Sequence, residues 1–174
     1  FVFVAQMRAN LPDAVGGVRW FGTDDANMTV FTPVYCCTTK APVCYTRVDG
    51  ADYITFSWNS AFWIFNWVAN MVYPRYDLMI GDVRATQNEL ETTFNEAQEG
   101  IEAAAVKLYE KNPETAVKFL TNYTDMTAQS TFDTWKRLGE FIIVKYNDGV
   151  IRKMKDGKFE RNAIGQPAGV VRPG

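Results

Sequence analysis

Cys36, Cys37 and Cys44 are the strongest side-chain nucleophiles in this sequence, and no histidine stands anywhere in its 174 residues to activate them. A Cys-His or Ser-His-Asp arrangement cannot be assembled from such a chain. A zinc site would have only thiolates and carboxylates to draw on, and three cysteines at this spacing do not make a Cys₄ centre. A thiol without a cation or base beside it keeps a pKa near ~8.5, so none of the three is expected to act as a nucleophile. Adjacent cysteines rarely bridge one another. A Cys36–Cys44 or Cys37–Cys44 disulfide across a hairpin stays open beside the preferred reading, buried free thiols, and the odd count leaves at least one thiol unpaired.

Three other residues have side chains suited to binding. Arg8, at the end of the first strand pattern, can turn a guanidinium towards a carboxylate and pair with it through two hydrogen bonds. Asn59, beside Trp58 where the β pattern gives way to a helical one, has an amide able to donate to an oxyanion. Trp20, with Phe21, can wall a pocket. Each also has a plainer role: a surface arginine at a strand end, a helix cap, a core aromatic. The residues alone favour those plainer roles. No motif calls for a metal or a cofactor, and the sequons at Asn27 and Asn122 matter only in a secreted, glycosylating setting.

The elements that must position these residues follow from the pattern. Hydrophobic residues make up 47% of the chain, enough for one core and one domain rather than a disordered tail. A net charge of −2, with Lys and Arg scattered, gives no footprint for nucleic acid. Phe1 to Arg8 reads as a strand from the first residue, and its apolar run predicts a strand buried in a sheet whose other strands lie upstream. After the turn-rich Leu11–Gly17, Val18–Phe21 predicts a short strand. Met28–Cys37 predicts another, with Pro33 marking an edge or bulge, and Tyr45–Val48 is either a fourth strand or a covering loop.

Past residue 58 the period shifts towards 3.6. Ser60 is placed to cap a helix that is apolar nearly all round and, at about 14 residues before Pro74, too short to cross a bilayer. Thr86–Lys111 predicts an amphipathic helix with Leu90, Phe94, Ala97, Ile101, Ala104 and Leu108 on its apolar stripe. Asn112-Pro113 predicts a capped start to the next helix, and Met126–Tyr146 one more. A small hairpin turning at Asp156-Gly157 precedes an irregular tail.

The order Phe3-Val-Ala-Gln-Met-Arg8, Leu11-Pro12, Val18-Arg-Trp20-Phe-Gly22, Phe31-Thr-Pro33-Val-Tyr35, Ser60-Ala-Phe-Trp63 and Tyr76 resembles the C-terminal part of the cysteine dipeptidases of the N-terminal-nucleophile hydrolase superfamily, the group that includes the secernins. The likeness continues through Trp135 and Leu138 to Lys145–Gly149, covering about the first 150 residues. It rests on the order of these short motifs, none of which is sharp by itself.

The resemblance implies an α+β fold, the C-terminal portion of an αββα sandwich with antiparallel strands followed by a helical region. Residues 1–57 would form the β-rich part, 58–149 the helical part and 150–174 a hairpin and tail, in one domain incomplete at its N-terminus. It implies a dipeptide substrate, whose C-terminal carboxylate is of the kind that the Arg8 guanidinium could pair with. The nucleophile would be a cysteine whose own α-amino group is the base, which removes the need for histidine. Residue 1 here is Phe, so that cysteine is expected upstream and this chain alone is expected to be inactive. Partners would be the missing N-terminal portion and, for the helices, other copies in a homo-oligomer. A non-catalytic assembly segment and an amidase acting on acylated amino acids are the alternatives. Relatives of this kind tilt the expected compartment slightly towards secreted or periplasmic.

Overall fold

A computed structural model describes residues 1–173. Its architecture is α+β, a three-stranded antiparallel sheet laid against long helices. Strands β1 (Val2–Met7), β2 (Gly17–Gly22) and β3 (Thr32–Tyr35) pair in the order β1-β2-β3, with Val4 opposite Trp20 and Trp20 opposite Pro33. A single helical turn, α1 (Asp13–Gly16), links the first two. Alternation sends Val18, Trp20 and Tyr35 to one face, where they join the core, and Phe3 and Phe21 to the other.

Helices α2 (Ala61–Val72), α3 (Tyr76–Lys111) and α4 (Pro113–Tyr146) supply the rest of the core. Helix α3, at 36 residues, is about 54 Å long at 1.5 Å per residue. It folds back against α4 through a turn built as the residues demand: Asn112 accepts the Glu114 N–H at 2.8 Å and Pro113 opens the helix. Short helix α2 lies on α4, with Phe65 stacked on the fully buried Trp135 at 4.7 Å. Beyond α4, β4 (Ile151–Arg152) pairs with β7 (Val170–Val171), and β5 (Met154–Lys155) with β6 (Lys158–Phe159). Asp156 and Gly157 both take positive φ in the hairpin turn.

Several expectations need correction. Strand β1 is an exposed edge strand, with Phe1, Phe3, Val4 and Met7 all open to solvent. Its apolar run predicted burial, but no element among the described residues covers its outward face. The predicted strand Met28–Cys37 shrinks to β3, because side chains satisfy the preceding backbone instead of a ladder. Asp25 accepts the N–H groups of Asn27 and Met28, Glu91 accepts that of Phe31, and Gln87 donates to the carbonyls of Asn27 and Thr29.

Residues 43–50 form two 3₁₀ turns, so this segment is the covering loop and not a fourth strand. Helix α3 starts at Tyr76, ten positions before Thr86. The two helices expected after Asn112 are one, because Thr124 and Thr121, poor helix formers, find partners on β3 and on the loop that follows it. The hairpin expected about Asp156-Gly157 is short, Met154–Lys155 against Lys158–Phe159, while Ile151 and Arg152 pair with the tail.

Candidate functional site

The cysteines are all free, and only one is buried. Cys44 sits in the turn beside α4, where desolvation pushes its thiol up to about 12, helped by the negative charges of Asp125 and Asp133. Desolvation also raises Cys37, which is half-buried. Cys36 is exposed at the end of β3, packed over Gly17, where a Cβ would crowd it. In both, desolvation outweighs the backbone hydrogen bond that favours the thiolate, so at neutral pH Cys44 and Cys37 stay protonated and weakly nucleophilic. The expectation of three buried thiols holds for Cys44 alone. Among the described residues no cluster of three or more Cys, Asp and Glu side chains is set to hold a metal.

Arg8 and Trp20 meet in one polar network between the sheet and α3. Arg8 pairs with Glu102 at 2.5 Å and donates to the carbonyls of Gly16 (3.2 Å) and Val15 (3.3 Å). Glu102 also accepts from the Tyr35 hydroxyl (3.1 Å) and from Gln98 (2.9 Å). Gln98 and the Trp20 indole N–H both donate to Gln6. Tyr35 is pushed far above its ordinary pKa, first by desolvation and then by the Glu102 charge. The guanidinium of Arg8 is thus engaged along its whole edge, and a substrate carboxylate would have to displace Glu102.

The buried stripe of α3 explains why this network was not foreseen. It runs through Met79, Val83, Gln87, Leu90, Phe94, Glu102 and Ala105. Ala97, Ala104 and Leu108, which an apolar-residue count selects, lie only partly buried beside it. A Gln and a Glu at four-residue steps from Leu90 and Phe94 were the available signal.

Asn59 lies apart from this network. It is exposed and donates to Asp49 (2.8 Å), while its backbone N–H donates to the Ser57 hydroxyl (3.0 Å). The Ser57 hydroxyl also donates to Asp49 (2.7 Å), and these two side-chain bonds, Ser57's first, hold the Asp49 carboxyl below its usual range. Asn59 therefore ties the 48–50 turn to the approach of α2, and Ser60 occupies the cap position, without a side-chain bond.

The concave surface richest in binding chemistry is a groove of about 610 Å³ at the outward face of the sheet. Phe21 of β2 lies 5.9 Å from Phe1 and 5.3 Å from Tyr45, ring centre to ring centre. Ser60 and Phe62 enter from the start of α2, Thr23, Asp24 and Cys44 also line it, and Thr46, Arg47 and residues 51–53 supply the rest. Burial pushes the Tyr45 hydroxyl up to about 12. Desolvation raises Asp24, against the pull of an Asn66 amide at 3.3 Å. At one rim Arg47 pairs with Asp52 at 2.9 Å. The result is a mostly aromatic trough with a carboxylate on its wall, the usual build of a small-ligand site. Phe21 was foreseen as a wall; Asp24, Tyr45 and Phe62 were not.

Comparison with known proteins finds the family model of peptidase family C69 matching residues 1–89. That span takes in the whole sheet, the groove, α2 and the start of α3, and stops short of the 150 residues over which the resemblance was expected. No curated protein matches the chain. The sheet, the groove and half of the sequence thus coincide with one family, and the chain belongs to peptidase family C69, the cysteine dipeptidases of the N-terminal-nucleophile superfamily.

Proposed function

We propose that this chain is the C-terminal portion of a dipeptidase whose nucleophile, a cysteine with a free α-amino group, lies outside this sequence. The observation that carries the reading is the state of the thiols. Cys44 is buried and raised to about 12, Cys37 is raised, and the chain has no histidine to activate Cys36. A peptidase of the cysteine class needs a thiol with a base beside it, and an N-terminal cysteine brings its own. The open edge and apolar outward face of the sheet support the same reading, since both are suited to pairing with further strands.

In the proposed reaction the α-amino group takes the proton as sulfur attacks the peptide carbonyl. The tetrahedral intermediate then collapses to a thioester, and the protonated amino group gives its proton to the departing amine. Water, deprotonated by the same group, attacks the thioester, and sulfur leaves with the proton restored.

The test is to assay the 174-residue chain beside a form extended to its upstream cysteine, against dipeptides and acylated amino acids. Hydrolysis by the extended form alone is expected, with dipeptides preferred. A preference for acylated amino acids would make the enzyme an amidase. Hydrolysis by the shorter chain would overturn the location of the nucleophile. Silence from a folded extended form would leave α3 and α4 as an assembly segment.

A further inference from the structure

A free dipeptide differs from an internal peptide segment in carrying an ammonium group one residue from the scissile bond. An enzyme that selects it needs a fixed anion for that charge and a wall for the neighbouring side chain. The outward groove holds both. Asp25 is already satisfied by the N–H groups of Asn27 and Met28 and by the Tyr73 hydroxyl. Asp52 is paired with Arg47 and accepts the Ile54 N–H.

Asp24 differs from both. No Lys or Arg among the described residues pairs with it, the Phe1 ammonium acts on it without reaching ion-pair distance, its side-chain partner is the neutral amide of Asn66, and it is partly shielded from water. Thr23, lining the same groove and 8% exposed, has a buried hydroxyl that makes no close hydrogen bond and has the Tyr45 hydroxyl near it. Residue 24 is also held at φ 61°, a conformation that costs a non-glycine residue.

We propose that this groove is the subsite for the protonated α-amino terminus of the substrate, with Asp24 as its anionic partner and Phe21, Tyr45 and Phe62 walling the adjoining apolar side chain. The assignment rests on the peptidase reading for the identity of the ligand. It does not depend on where the nucleophile lies. A partly desolvated carboxylate with no paired cation is costly, and an incoming ammonium offsets that cost while shedding its own water against Asp24 and the Thr23 hydroxyl. The aromatic faces add a weaker attraction for the same charge.

The test is a titration, followed by NMR, of the 174-residue chain with alanyl-phenylalanine and with its N-acetyl derivative, for the native sequence and for Asp24→Asn. Asparagine tolerates positive φ nearly as well as aspartate, so the variant removes charge and keeps the turn. The free dipeptide is expected to bind roughly ten- to a hundredfold more tightly than the acetylated one. Asp24→Asn is expected to bring that ratio to about one by weakening only the free dipeptide, and Phe62→Ser to weaken both ligands alike.

Equal binding of the two ligands, an unchanged ratio in Asp24→Asn, or no binding of either would overturn the subsite. Hydrolysis by the extended form separates the two ideas. Dipeptide hydrolysis with an unchanged ratio in Asp24→Asn sinks the subsite and leaves the dipeptidase reading. Charge-dependent binding without hydrolysis does the reverse.

Discussion

At the scale of single residues, Asp24 and Glu102 show two ways a carboxylate is kept inside a fold. Glu102 is buried with Arg8, Tyr35 and Gln98 around it, each a donor. Asp24 is partly desolvated with no paired cation, and desolvation raises its pKa against the weaker pulls of Asn66 and the Phe1 ammonium. In the folded state Asp24 therefore holds its proton to a higher pH than the unfolded chain, whose value is near ~3.9. Between those two values the native state binds more protons, so stability falls as pH rises through the folded pKa and is level above it.

Asparagine does not titrate, so Asp24→Asn should gain in melting temperature over the native chain as pH rises through that window. The gap should then hold steady towards neutrality. Thermal melts from pH 3 to pH 8 measure it, and a gap that does not change with pH would show that Asp24 ionises freely in the fold.

At the scale of elements, contacts between helices and sheet decided what local patterns left open. The threonines of α4 are the clearest case. Thr124 accepts the Tyr35 N–H at 3.2 Å and Thr121 that of Thr39 at 3.3 Å, so α4 closes the β3 edge with side chains in place of another strand. That gain keeps a helix running through Thr121–Asp125, where propensity alone suggested a break. Gly139 works in the opposite sense. A Cβ there would run into the ring of Trp67, so glycine lets α2 approach α4 closely. Gly139→Ala should destabilise the chain by about 1–3 kcal/mol despite alanine's better helix propensity, as read by urea unfolding. A stabilised variant would mean that Trp67 moves aside freely.

At the scale of the whole molecule, the sheet is finished on one side only. One face and the β3 edge are covered by helices, whereas β1 leaves its edge and the side chains of Phe1, Phe3 and Met7 in water, the last 74% exposed. Apolar sheet surface of this kind drives association. Phe3→Lys should lower self-association of the chain in sedimentation velocity and leave its stability within ~0.5 kcal/mol. A marked loss of stability would place Phe3 in the core of the chain itself. The groove opens on this same face, so whatever completes the sheet would stand beside Asp24.

Period and caps determined the strands about Val4 and Trp20, the aromatic helix after Ser60 and the Asn112-Pro113 turn, because each is set by neighbours within a few residues, while the α+β class came with the resemblance carried by the order of short motifs. The lack of histidine likewise settled that any cysteine chemistry must find another base. Only the tertiary structure decided that Glu102 would be buried with Arg8, that Asn59 would brace a loop, and that Asp24 would reach a groove between Phe21 and Phe62. The first and last of those outcomes join residues 38 to 94 positions apart, and the Asn59 contact spans 10 positions across a turn. The pairing energy that selects them comes from burial and charge in the assembled fold, which no local pattern encodes.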